Sequence, residues 1–425
     1  MAIIAAATAV TAGLSGCIDQ AAPNPTVEPL HSTSFPSVGY GFSIADVVEG
    51  LDQPTGVAVS ADGSRLFVSG GNGAASGIAR LDDKTDAVAW LGAELGDPGL
   101  IATSPGGGVY AVDQHDDDLH VSADQGETWT SIPAATGGFA GSQAVAARDG
   151  LVVVTNGDDD SVSISVDTGA TWRRVDASTG SFAGVAGVAI DDDGRILVVD
   201  SQDGGISTSA DQGTTWQKID GAQTGFTSPL AIAVGPHGEI VVTDPGAGGL
   251  ARSVDGGQTW TSTSGFENAF GVAIDGEGLV YVTDDQFSLV KLAAVPGPPQ
   301  DVTARWGEEP GSVTVSWRPN AVTGGAAVTE QMVSVLLDPS ADQEKSLGFV
   351  RERDRDLKDS AEPEATPSAP VVQWDSTVEP DVDETSVTGI TPGMDVLVTV
   401  TVTNSVGASV PTSVRLTSTP GGGDR

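Results

Sequence analysis

Lysine, histidine, tyrosine and cysteine are all scarce here: the chain holds one cysteine, four histidines and three tyrosines, and its lysines are Lys84, Lys218, Lys291, Lys345 and Lys358. A lone cysteine excludes an internal disulfide and any Cys-pair redox or zinc site. No His-Glu-x-x-His or Gly-x-Ser-x-Gly pattern occurs, so zinc-protease and serine-esterase chemistry have no support. Nineteen basic residues face 58 acidic ones, a formal charge of −39. Such a field repels phosphate backbones and anionic lipid, which excludes nucleic acid as a partner. The same charge confers solubility, most effectively where salt screens it, and leaves cation binding open. The apolar run at residues 2–14 is too short to span a bilayer.

What the chain does have is glycine, 56 of 425 residues, and a repeat. Four segments read Ser122-Ala-Asp-Gln-Gly-Glu-Thr-Trp129, Ser165-Val-Asp-Thr-Gly-Ala-Thr-Trp172, Ser209-Ala-Asp-Gln-Gly-Thr-Thr-Trp216 and Ser253-Val-Asp-Gly-Gly-Gln-Thr-Trp260. Their aspartates, at 124, 167, 211 and 255, step by 43, 44 and 44. A period of that size with strand-like runs between is the mark of β-propeller blades. Ala58, Ala102, Ala146, Ala189, Ala233 and Ala273 mark an inner strand in each of six units. Small residues suit strands that crowd around an axis. A hydrophobic, mostly β-branched second strand follows each one, as in Leu151-Val-Val-Val-Thr155 and Ile240-Val-Val-Thr243.

The sixth unit stops at Pro296-Gly-Pro-Pro299 without a fourth strand. Phe42-Ser-Ile-Ala-Asp-Val-Val48 is expected to supply it and close the ring, hiding sheet edges that would otherwise aggregate. The propeller is expected at 41–295. Its first unit, Leu51-Asp-Gln-Pro-Thr-Gly-Val-Ala-Val59, resembles NHL-type propellers.

The four Trp-ended segments resemble Asp-box (BNR) repeats. In such a hairpin the carboxylate accepts N–H bonds across its own turn, glycine supplies a positive φ and the Trp packs over the turn. Asp124, Trp129, Asp167, Trp172, Asp211, Trp216, Asp255 and Trp260 are therefore read as structural. Turns at the rim of separate blades cannot converge on a substrate.

Leu14-Ser15-Gly16-Cys17 resembles the lipobox of bacterial lipoproteins, although no Lys or Arg precedes the apolar run. The resemblance implies a signal peptide at 1–16, a lipid on Cys17, a flexible tether at 17–40 and an extracytoplasmic protein whose contact with the membrane is that anchor.

Beyond a stiff Pro-rich linker at 296–299, Ser312-Val-Thr-Val-Ser-Trp317, Gly324-Gly325, Ser386-Val-Thr-Gly-Ile-Thr-Pro-Gly393 and Val398-Thr-Val-Thr-Val-Thr-Asn-Ser-Val-Gly407 resemble a fibronectin type III domain. The resemblance implies a seven-stranded sandwich at 300–418 with Trp317 in its core. Val396 stands near the place of the usual corner tyrosine. A charged insertion at 338–384 and a tail at 419–425 are expected to be poorly ordered. The fold class expected is all-β: a six-bladed β-propeller plus a C-terminal fibronectin type III β-sandwich.

Directly after the second strands stand Gly70, Asp113, Asn156, Asp200, Asp244 and Asp284. If the five polar side chains point inward, they form an axial ring of oxygen ligands for a hard cation such as calcium. Alternatively each hydrogen-bonds its own following turn. The runs Asp116-Asp-Asp118, Asp158-Asp-Asp160 and Asp191-Asp-Asp193 lack EF-hand spacing and read as solvated turns. His115 and His120 are either exposed or an acid–base pair over the funnel. A sialidase needs an arginine cluster and a Tyr–Glu pair, whereas Arg173 and Arg174 lie on an outer strand and Tyr110 and Tyr281 on second strands. The expectation is a surface-anchored recognition protein that binds an extracellular protein or glycan through the propeller face. The alternative is a carbohydrate-active enzyme, a glycosidase or lyase, using the same scaffold.

Overall fold

A computed structural model describes residues 42–48, 51, 53–60, 63–71, 76–82, 88–91, 95–235, 238–266, 268–284, 288–337, 373–390 and 395–417. Cys17 and the segments expected as a signal peptide at 1–16 and a tether at 17–40 lie outside them. Six four-stranded antiparallel sheets follow one another, then a three-stranded and a four-stranded sheet. The chain is an all-β, six-bladed β-propeller followed by a β-sandwich.

Blade three shows the plan: Ser142–Arg148 innermost, then Leu151–Asn156, Ser161–Ser165 and Arg173–Val175 outermost. Its second strand is buried throughout, because both faces of the sheet pack against neighbouring blades. Antiparallel order sorts the connections onto two sides of the disc. Loops between second and third strands, and the links between blades, lie on one side, here the loop face. Hairpins after the inner strands, and the four Asp-containing turns, lie on the other, the hairpin face.

Blade six, whose contiguous strands are Ala269–Ile274, Val280–Asp284 and Ser288–Ala294, receives Phe42–Val48 as its outer strand, paired antiparallel from Phe42↔Ala294 to Val48↔Leu289. A hydroxyl ladder joins successive blades. Thr155 Oγ1 takes the Ala144 N–H of its own blade at 3.1 Å and donates to Ala186 O of the next at 2.6 Å. Ser69 and Thr243 repeat this. Thr283 closes the circle, donating to Thr55 O of blade one at 2.9 Å. Val112 and Val199 hold the same position in blades two and four.

Each Asp-containing turn is a closed local network. Asp124 takes the Thr128 N–H at 2.8 Å, the Thr128 hydroxyl at 2.7 Å and the Ser122 hydroxyl at 2.8 Å, while Trp129 Nε1 donates to Gly126 O at 3.0 Å. Asp167, Asp211 and Asp255 repeat the pattern. Trp172, Trp216 and Trp260 insert between blades, edge-on to Phe139, Phe182 and Phe226 with centroids 4.9, 4.9 and 4.8 Å apart. Such pairs add about 0.5–1.5 kcal/mol beyond area burial.

The sandwich stacks Gln300–Trp306, Val313–Arg318 and Glu384–Val387 against Gln373–Val378, Val328–Leu337, Val396–Asn404 and Thr412–Leu416. Trp317 is buried, and its Nε1 donates to Gln331 Oε1 at 2.8 Å. Val396 is fully buried. The expected insertion at 338–384 is too long. Residues 373–378 form a strand paired with Val328–Leu337, because Trp374 packs on the sandwich core.

Candidate functional site

An axial cavity of about 320 Å³ opens on the hairpin face, lined by the last residues of all six inner strands. All six marker alanines, Ala58, Ala102, Ala146, Ala189, Ala233 and Ala273, line it. Around its mouth stand Ser60, Ser104, Arg148, Asp192, Asp275 and Gly276. Arg148 Nη2 and Asp192 Oδ1 pair at 2.6 Å. Asp275 is braced by the N–H groups of Glu277 and Leu279 and by the Tyr281 hydroxyl at 3.0 Å. The wall is thus apolar, of alanines interspersed with valines and isoleucines, and the rim polar, an arrangement typical of binding pockets.

The expected axial ring does not lie there. Asp113, Asn156, Asp200, Asp244 and Asp284 end strands one place removed from the axis, on the loop face, and the residues lining the cavity do not include them. Four of them are taken up by the segment leading into their own inner strand. Asp113 accepts from Gly96 and Asp97, Asn156 from Ala140, Asp200 from Ala183, and Asp244 from Thr227 and Ser228. Asp284 is equally buried. The physical reason is local: a strand-end carboxylate finds unpaired N–H groups closer than any cation held in common.

The acidic runs are braces as well. Asp117 Oδ1 accepts the Ser142 N–H of the next blade at 2.9 Å, and Asp160 Oδ1 accepts that of Gly184 at 3.0 Å. Arg173 reaches Gln212 O and Gly213 O of the next blade's turn. Burial lifts the Asp200 carboxyl above its ordinary value, against the Lys218 ammonium 2.8 Å away, which also pairs with Asp203 at 2.6 Å.

Of the two histidines read as either exposed or an acid–base pair over the funnel, His115 is exposed in a loop and His120 lies within a third strand, both on the side of blade two away from the cavity mouth. His120 Nε2 is buried and 3.5 Å from Asp113 Oδ2. Asp113, Asp116 and His120 each offer one ligand atom within 4.8 Å of the others. Burial opposes ionisation of Asp113, but the N–H groups of His115, Gly96 and Asp97, with His120 nearby, hold its carboxyl below its ordinary value. One imidazole nitrogen and two carboxylate oxygens suit zinc or manganese better than calcium, which takes oxygen ligands.

Reasoning from sequence missed Asp116 as a ligand candidate. It also missed the phenylalanines that meet the Trp side chains, although Gly138-Phe139, Ser181-Phe182 and Gly225-Phe226 recur at the blade period.

No protein-family model and no curated protein matches the chain. Among solved structures it is similar to virginiamycin B lyase from Staphylococcus aureus, at 14% identity over 59% of this chain and 99% of that one, TM-score 0.45. It is also similar to a gluconolactonase from Xanthomonas campestris, at 14% identity over 64% and 99%, TM-score 0.49. A chain of a nidogen–laminin complex matches at 16% identity over 58% and 87%, TM-score 0.43.

Proposed function

We propose that the chain is a recognition protein, held to a bacterial membrane by a lipid on Cys17, that binds an extracellular protein or glycan through its hairpin face. On this reading the four Trp-ended turns are Asp-boxes and the sandwich is a fibronectin type III module. The axial cavity carries the proposal: a wall of apolar side chains ringed by polar groups receives a ligand, while the conspicuous carboxylates are occupied in bracing blades. The test uses the chain without its lipid on arrays of glycans and secreted proteins. A ligand whose binding is abolished by Ala102→Leu, which enlarges a side chain of the cavity wall, supports the proposal. Binding indifferent to that change, or none at all, refutes it.

A second reading is a metal-dependent glycosidase or lyase, favoured by the proximity of Asp113, Asp116 and His120. Polysaccharide cleavage that chelation stops, that zinc, manganese or calcium restores and that His120→Ala abolishes would replace recognition by catalysis.

A further inference from the structure

We infer that the sandwich is a fixed part of the hairpin face: the Gly324–Gly325 turn and Asn404 clamp it to the blade-six hairpin and so set the cavity rim at Asp275 and Gly276. That this rim serves binding rests on the function proposed above; the clamp itself does not.

The contacts are dense, and every acceptor is a backbone oxygen. Gly325 N–H donates to Glu277 O at 3.1 Å and the Thr323 hydroxyl to the same oxygen at 3.0 Å. Ala294 N–H, at the end of blade six, donates to Gly324 O at 2.6 Å. The buried Asn404 amide spends both N–H groups here, on Ala294 O at 2.7 Å and Thr323 O at 2.9 Å. From the propeller side, Arg252 of the buried Arg252–Glu239 pair donates to Val295 O at 3.0 Å.

The two glycines are required by this geometry. Both have positive φ, +73° and +72°. A Cβ would fall 2.1 Å from Ala294 O at Gly324 and 2.8 Å from Leu279 Cα at Gly325. The clamped hairpin has a second side, since Asp275 and Gly276 line the cavity and Asp275 takes the N–H groups of Glu277 and Leu279. Whatever holds Glu277 therefore holds the rim. A swinging spacer would need a solvated linker with few crossing contacts. Here Gly297 N–H is bonded to Val322 O at 2.9 Å and Pro299 O accepts the Thr412 hydroxyl at 2.7 Å.

Hydrogen exchange on the full chain tests the clamp without any ligand. Thr323→Val and Asn404→Ala each remove junction bonds without backbone strain, and each is expected to speed exchange in the 275–279 hairpin roughly fivefold, the effect of one lost hydrogen bond. Leu151–Asn156 of blade three serves as the unchanged control. Small-angle scattering of the unaltered chain is expected to fit one arrangement of disc and sandwich. Gly325→Val, where it folds, is expected to require several. Hairpin exchange unmoved by both gentle substitutions, or native scattering that needs many orientations, overturns the clamp. An intact clamp in a chain whose array binding ignores Ala102→Leu removes the recognition reading and leaves the clamp standing.

Discussion

Blades two to five each contain the Ser-x-Asp-x-Gly-x-Thr-Trp turn, and blades one and six do not. In the four, cohesion is local: eight consecutive residues satisfy one another and seat a Trp between blades. In the other two it is long-range, through the Phe42–Val48 strand, the Thr283–Thr55 bond and the sandwich. Local motifs build the middle of the array, and the seam is made by parts distant in sequence.

Breaking the seam should therefore cost more than breaking a turn. Ile44→Pro puts a residue with a fixed φ and no N–H into the closing strand and should have the largest effect, ending cooperative unfolding of the disc, as read by calorimetry. Trp216→Ala should cost about 2–3 kcal/mol, less than a fully buried aromatic, and lower Tm without splitting the transition. Thr283→Val leaves Gly271 N–H and Thr55 O without their partner and should cost about 1–2 kcal/mol. Denaturant midpoints then decide: if Trp216→Ala proves worse than Ile44→Pro, the contrast between seam and turn fails.

Acid probes the four turns most directly. Hydrogen bonds from the threonines of these turns lower Asp124, Asp167 and Asp211 from 3.8 to about 2. A carboxylate depressed on folding contributes stability above its ordinary pKa and loses it as pH falls through the folded value. Tm should thus decline between pH 4 and pH 2, and the triple Asp→Asn variant should decline less steeply. Equal slopes would move the acid sensitivity elsewhere. The smallest effect is a gain: Thr168, β-branched at φ +60°, should accept Gly with stabilisation of roughly 0.5–1 kcal/mol.

The repeat made the blades, their number, the marker alanines and the closing strand legible, because period and β-branched runs are written along the chain. The register of polar groups was not. Asp113 and Asp244 share a position, but the choice between a common cation and their own N–H neighbours depends on where the preceding segment runs. Sequence order could not give that. Thr155 and Thr243 read as ordinary strand residues and proved to be rungs between blades. The strand at 373–378 was hidden by its charged neighbours, and the clamp at Gly324–Gly325 by looking like any turn.

The seam also imposes an order of events. Phe42–Val48 leaves the ribosome before any blade exists, and its partner Ser288–Ala294 leaves after all the others. Thr55 and Thr283, bonded in the finished ring, are 228 residues apart. Closure over such a separation is entropically costly and slow, so the disc cannot close before blade six has been made. The first strand must wait, solvated and unpaired, until nearly the whole propeller has been made.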